Sequence, residues 1–177
     1  MVKLSKIFGL MVFFILALTF FIPKTNLYYL LESKLQNYNL VVSDEVIKES
    51  GFYLELKDAK IYFNSIQSAE VSKMELSTFL VYNSLDISGI KLSTLSKSFL
   101  PIDIKNINAT YSIFNPLNLT VVSNGDFGVA NGYINLLDKK ISIKVKPSKM
   151  MLERYKKTLK FLEKNQDGTY SYDTTFN

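Results

Sequence analysis

The sequence predicts a mainly β protein with α: an N-terminal transmembrane helix, then a curved antiparallel β-sheet or sandwich domain with a packed C-terminal helix. Three observations predict it. Residues 4–22 carry a single charge, Lys6. From about residue 40 to Pro147 apolar residues recur with period two in short runs separated by turn residues, the mark of antiparallel strands with one buried face. After Pro147-Ser148 the period becomes helical again.

A helix over residues 4–22 rises about 28 Å, close to the ~30 Å hydrocarbon core of a bilayer. Its apolar contacts with lipid would come from Ile7, Phe8, Leu10, Phe13, Phe14, Ile15, Leu16, Phe20, Phe21 and Ile22. A cleaved signal peptide, a membrane anchor and a buried core helix all fit such a run. Cleavage needs small residues after it, and here the chain reads Phe20-Phe21-Ile22-Pro23-Lys24, which favours an uncleaved anchor. Lys3 and Lys6 precede the span without an acidic residue, so the charge bias puts the N-terminus in the cytoplasm and the rest of the chain outside it. In a bacterium that is a single-pass inner-membrane protein with a periplasmic domain.

Residues 25–38 form an amphipathic linker helix, with Thr25 or Asn26 as N-cap and Leu27, Leu30, Leu31, Leu35 and Tyr38 on one apolar face. That face either caps the core of the following domain or lies on the membrane with Tyr28 and Tyr29 at headgroup level. The segments are thus 1–24, stub and anchor; 25–38, linker helix; and 39–177, a β-rich domain containing a helix at 148–164. Eight to ten strands are expected. Turns are expected at Glu49-Ser50-Gly51, Lys57-Asp58, Ser88-Gly89, Asn115-Pro116, Ser123-Asn124-Gly125-Asp126, Asn131-Gly132 and Leu137-Asp138-Lys139. Ile102, Ile104 and Ile107 share one strand rhythm. Ser148 caps the last helix, whose inner side carries Met151, Tyr155, Leu159 and Leu162; residues 169–176 form a final strand.

Composition narrows the chemistry. The 177 residues include no His, Cys or Trp. A Ser-His-Asp triad, a Cys nucleophile and a Cys/His metal site are therefore excluded, and no disulfide can form. Enzymatic activity is not expected, nor is a cofactor or metal. The carboxylates Asp44-Glu45-Glu49, Glu70/Glu75 and Asp86/Asp103 lack calcium-loop spacing and read as the solvent half of the strand alternation. Asp126-Phe127-Gly128 spells a kinase tripeptide without the rest of the kinase set, and a turn explains it better. Asn108-Ala109-Thr110 and Asn118-Leu119-Thr120 match a glycosylation pattern short enough to arise by chance.

Two surfaces remain as candidates. Up to Asp138 there are 11 lysines against 12 acidic residues, whereas beyond it ten basic residues face four acidic ones. Lys139, Lys140, Lys144, Lys146, Lys149, Arg154, Lys156, Lys157 and Lys160 could form a docking surface for anionic lipid or an acidic protein, or simply a solvated face. An exported, anchored topology argues against nucleic acid as the partner. The stripe Phe52, Leu54, Leu56, Ile61 and Phe63 is either core or an apolar groove in the sheet.

The order of features carries a resemblance. A single span leads through a short helix into strands that include Ser112-Ile113-Phe114-Asn115-Pro116-Leu117, the Gly125-Asp126-Phe127-Gly128 turn, Asn131-Gly132-Tyr133-Ile134, Lys146-Pro147-Ser148 and Asp167-Gly168-Thr169-Tyr170. This layout resembles the N component of type II secretion systems, and that family is similar to AsmA-like envelope proteins associated with lipid handling. The resemblance implies a non-enzymatic accessory of a secretion or envelope-assembly machine, with protein components of that machine and the bilayer as partners. A second resemblance, to the periplasmic lipopolysaccharide transport component C, implies lipid binding or transfer along the interior of the sheet.

Overall fold

The computed structural model describes residues 2–99 and 103–176; Ile102 lies outside them. Helix α1 (Val2–Phe21) is apolar on every side. The stretch Leu4–Phe21 is long and apolar enough to cross a membrane, and none of it is buried in the protein, so it is not a core helix. Pro23 ends it and leads into α2 (Lys24–Gln36).

The N-terminus of α2 is not capped by Thr25 or Asn26 as its own sequence suggests. The cap comes from the sheet: Glu49 accepts the backbone N–H of Lys24 at 2.8 Å and that of Thr25 at 3.2 Å. Nor does α2 bury its leucine stripe. Lys24 and Tyr28 are buried, Glu32 and Leu35 half-buried, while Leu27, Leu30, Leu31 and Tyr38 are exposed. The side of α2 that meets the sheet must satisfy Glu45 and Glu49, and polar atoms rather than leucines do that. Tyr28 Oη donates to Glu45 at 2.8 Å, and burial together with that carboxylate pushes the phenol pKa well up. Tyr28 is therefore a core residue and not a headgroup anchor.

One open antiparallel sheet follows; no sandwich forms. Its strands are β1 (Leu40–Ser43), β2 (Val46–Ser50), β3 (Tyr53–Phe63), β4 (Ile66–Thr78), β5 (Tyr82–Leu92), β6 (Ile104–Ser112), β7 (Asn118–Gly125), β8 (Gly128–Asn135), β9 (Lys140–Pro147), β10 (Glu163–Lys164) and β11 (Tyr170–Thr175). Strands β3 to β9 make a simple meander. β1 and β2 share the outer edge of β3, and β11 pairs with β9, carrying the two-residue β10 on its far side. Helix α3 (Thr94–Phe99) joins β5 to β6.

The helix expected over 148–164 is broken. Ser148 does cap α4, accepting the Met151 N–H at 3.1 Å, but α4 ends at Arg154 (Lys149–Arg154). A 3-10 turn (Thr158–Phe161) follows, and Glu163–Lys164 is drawn into β10 by pairing with Ser171 and Tyr170. Met151 and Leu159 are still both buried, because the break lets each reach the cluster of Phe127 and Val145. The larger core cluster joins Tyr28 to Leu54, Leu56, Ala59, Val71, Met74 and Ile90. Burying a Leu as fully as Leu54 contributes about 1.5–3 kcal/mol.

Three expected turns lie inside strands. Asp58 in β3 and Gly89 in β5 have left-handed backbones, φ 57° and 68°, yet pairing continues past both. Their effect is to switch which residues face the core. In β3 the buried set runs Leu54, Leu56 and then Ala59; in β4 it runs Met74 and then Val71; in β5 half-buried Ile87 gives way to buried Ile90. A crease thus crosses neighbouring strands, and Leu56 and Ile61 lie in one cluster despite their odd separation. The third expected turn, Asn131-Gly132, is plain strand within β8.

Candidate functional site

Registers define the apolar face of the sheet. One cross-strand row runs Ile47, Leu56, Met74, Ile87, Ile107, Ser123, Ala130, Val145, Tyr170. The next runs Leu54, Leu76, Leu85, Ala109, Val121, Gly132, Ile143, Tyr172. A third adds Tyr111, Leu119, Ile134 and Ile141. On this side of the crease, period-two alternation makes the face continuous from β2 to β11.

Its cover is not continuous. At the β3–β4 end Leu54, Leu56 and Met74 are buried in the cluster that includes Tyr28 of α2. At the other end α4 and the 3-10 turn bring Met151 and Leu159 onto Val145. Between these covers Leu85, Ala109, Leu119, Val121, Ile134 and Ile141 are only half-buried. A groove of about 290 Å³ lies there, lined by Ile107, Val121, Ala130, Ile134, Ile141 and Ile143, with Gly132 in its floor. That is near the lower end of the ~300–1,000 Å³ typical of small-molecule sites.

The sequence stripe and this groove are different places. Leu54 and Leu56 are core, Ile61 is packed against them, and Phe63 is exposed. Phe52 stacks on Phe79 at 4.6 Å and meets Phe20 of α1 edge-on at 5.2 Å, so it joins the anchor to the sheet. Ile107, Val121, Ile141 and Ile143 follow the strand alternation of the sequence, whereas Ala130 and Ile134 flank the turn expected at Asn131-Gly132, and only three-dimensional cover separates an open stretch from a filled one.

The opposite face of the sheet is polar. Glu55 lies between Lys57 and Lys73, 3.2 Å from each, and Lys73 reaches Glu75 at 2.8 Å. The two lysines hold the Glu55 carboxyl below its usual range. A shallow depression of about 610 Å³ on this face is lined by Asn118, Thr120, Asn131, Tyr133, Lys144 and Asp173, among others.

The nine basic residues do not converge. Lys139 is in the β8–β9 turn; Lys140, Lys144 and Lys146 alternate along the polar side of β9. Lys140 lies 3.6 Å from Asp173 and Lys144 2.8 Å from Asp167. Lys149 and Arg154 are on α4, with Lys156, Lys157 and Lys160 in and before the 3-10 turn, all exposed on the cover over the apolar face.

The carboxylates singled out by sequence each have a structural partner. Asp44 pairs with Lys60, Glu45 takes the Tyr28 hydroxyl, Glu49 caps α2, and Gln67 donates to Glu70. Glu75 pairs with Lys73, Asp86 accepts from Asn108, and Asp103 pairs with Lys97. Among the described residues no three His, Cys, Asp or Glu converge as a metal site. Asp126-Phe127-Gly128 is a β7–β8 turn whose Phe127 is core; Gly128, at φ 113°, leaves no room for a Cβ, which would lie 2.2 Å from the Lys146 carbonyl oxygen. Comparison of the chain with protein-family models, with curated proteins and with solved structures finds no match.

Proposed function

We propose that the protein is a non-enzymatic, membrane-anchored lipid-binding module of the bacterial envelope, with its N-terminus cytoplasmic and its sheet in the periplasm. The supporting observation is the apolar face that runs unbroken through the strand registers and is left half-exposed between its two covers at Val121, Ile134 and Ile141. An uncovered apolar stretch of this kind is costly in water and fits an acyl chain lying across the strands. Polar groups are scarce in the groove, so recognition would be of hydrocarbon rather than of a headgroup.

The test uses a photo-crosslinking residue at Val121, in the groove, or at Thr120, its neighbour on the polar face. The full chain is made in bacterial membranes, purified in detergent, irradiated and analysed by mass spectrometry. Lipid adducts at 121 and not at 120 are expected; equal or absent adducts would remove the lipid reading.

The outer edge of β11 favours a second reading. β10 pairs only with Tyr170 and Ser171, so the rest of β11 presents an open edge to which a partner strand could add. That edge suits an accessory of a secretion or envelope-assembly machine, and proline substitution at Thr175, whose backbone N–H faces away from β9, would weaken capture of such a partner while leaving lipid adducts unchanged.

A further inference from the structure

The turns at one end of the sheet differ in chemistry from ordinary loops. Going along the meander, every second turn falls at this end, and each carries exposed apolar residues, the last beside Asp138 and Lys139. The β4–β5 turn is Phe79-Leu80-Val81, the β6–β7 turn contains Phe114 and Leu117, and the β8–β9 turn begins Leu136-Leu137. Phe114 is 85% exposed and Leu137 70%. The tips lie side by side: the Ile113 N–H donates to the Val81 carbonyl at 3.1 Å and the Leu136 N–H to the Leu117 carbonyl at 2.8 Å. At the opposite end the turns pass through Asn64-Ser65 and Asp126, although Phe63, Ile66 and Leu95 are exposed near them.

The end that carries the apolar tips is also where α1 stops. Phe20, in the last turn of the span, meets Phe52, and Phe52 stacks on Phe79 of the first tip. The connection is firm, because Lys24 donates from Nζ to the carbonyls of Thr19, Phe20 and Ile22 while Glu49 holds the start of α2. A row of exposed Phe and Leu side chains continuous with the end of a membrane-length helix has the bilayer interface as its natural occupant.

We propose that these three turns enter the interface of the membrane that α1 spans, so that the sheet stands with its strand ends on the bilayer. Ile134 and Ile141, the groove residues nearest the tips, and Leu119 beside Ile134 then open toward the acyl chains rather than into water. The proposal rests on α1 spanning the bilayer. It does not require that the groove hold a lipid, so failure of the crosslinking test leaves it standing.

The chain has no tryptophan, so a single one reports its own surroundings. Phe114→Trp, Leu137→Trp and, as reference, Lys91→Trp at the opposite end of β5 are each reconstituted as the full chain in vesicles of phosphatidylethanolamine and phosphatidylglycerol, with plain or brominated acyl chains. The two tip variants should emit at shorter wavelength than the reference and lose most of their emission in brominated vesicles, while the reference keeps its own. Tip emission that matches the reference in both vesicle types would overturn the proposal. All three positions are exposed, and circular dichroism matching the parent shows that each variant is folded before it is compared.

Discussion

The Glu49 carboxylate accepts the backbone N–H of Lys24 at 2.8 Å, at the one point where the membrane-length helix turns into the sheet domain. The two residues divide the work of that corner. Lys24, only 1% exposed, turns its ammonium back onto the carbonyl end of α1, where the helix dipole is negative; Glu49 meets the positive end of α2. Lys24→Met keeps the length of the side chain but leaves three carbonyls without their donor. A loss of about 1–3 kcal/mol in local stability is expected. Hydrogen exchange of the full chain in lipid nanodiscs should show faster exchange across 19–25, with no change for Lys34→Met; an unchanged joint would mean that water replaces the ammonium without cost.

The same corner should respond to acid. The Thr25 hydroxyl, followed by the Lys24 N–H, holds the Glu49 pKa below its ordinary 4.5. A depressed carboxylate stabilises the folded form above the unfolded pKa, and that contribution fades as pH falls through the lower folded value. The joint should therefore be intact from neutrality to about pH 4.5 and loosen below it. Exchange at the Lys24 and Thr25 amides, corrected for intrinsic rates, is the measurement. Glu49→Gln should flatten the dependence, and a wild-type response identical to that variant would assign the acid sensitivity elsewhere.

The crease makes a separate prediction about folding. Gly89 has φ 68°, and a Cβ there would lie 2.5 Å from Ser72 Oγ and 2.6 Å from Ser72 Cβ. Gly89→Ala should cost about 1–3 kcal/mol from the left-handed backbone, with the clash added to it. Adding Ser72→Gly should restore the clash portion alone. At Asp58, already left-handed with a side chain, Asp58→Gly should be neutral or slightly stabilising. Thermal unfolding of the three variants beside the parent would order them; a Gly89→Ala protein as stable as its parent would show that β5 can straighten without losing the switch of faces.

That crease also marks how far the sequence could be read. Period-two alternation located the strands, and Ser148 announced its helix. The residues Phe52, Leu54 and Leu56 are even-numbered while Ile61 and Phe63 are odd, so strict alternation would put the two groups on opposite faces. Asp58 carries the switch, and Asp in Lys57-Asp58, like Gly in Ser88-Gly89, is a residue type that reads locally as a turn. Both positions do take a left-handed backbone, but partner strands continue the pairing past them and no turn forms. The α2 leucines were misassigned for a related reason: their spacing is helical, but the face that packs is chosen by Glu45 and Glu49, more than ten residues away. The groove was hidden because β6–β9 alternate like any half-buried sheet, and nothing local states that α2 and α4 leave Val121 and Ile134 uncovered. The rim at the end of α1 does have a sequence signal, namely apolar residues in three alternate turns.

Filling the groove separates its use from its packing. Ala130 lines it, beside Ile107, Val121 and Ile143. If the space were a packing defect, Ala130→Phe would bury new apolar surface and raise stability by about 0.5–2 kcal/mol with no other consequence. If the space holds an acyl chain, the same substitution should leave the protein as stable or more stable in detergent while removing most lipid adducts at Val121. The sign of the stability change guards the reading. Loss of adducts in a destabilised variant would reflect overpacking, which typically costs about 1–3 kcal/mol, and Ala130→Leu would then supply the smaller filling group. Adducts that persist in a stable Ala130→Phe protein would mean that lipid reaches Val121 by some route other than the groove.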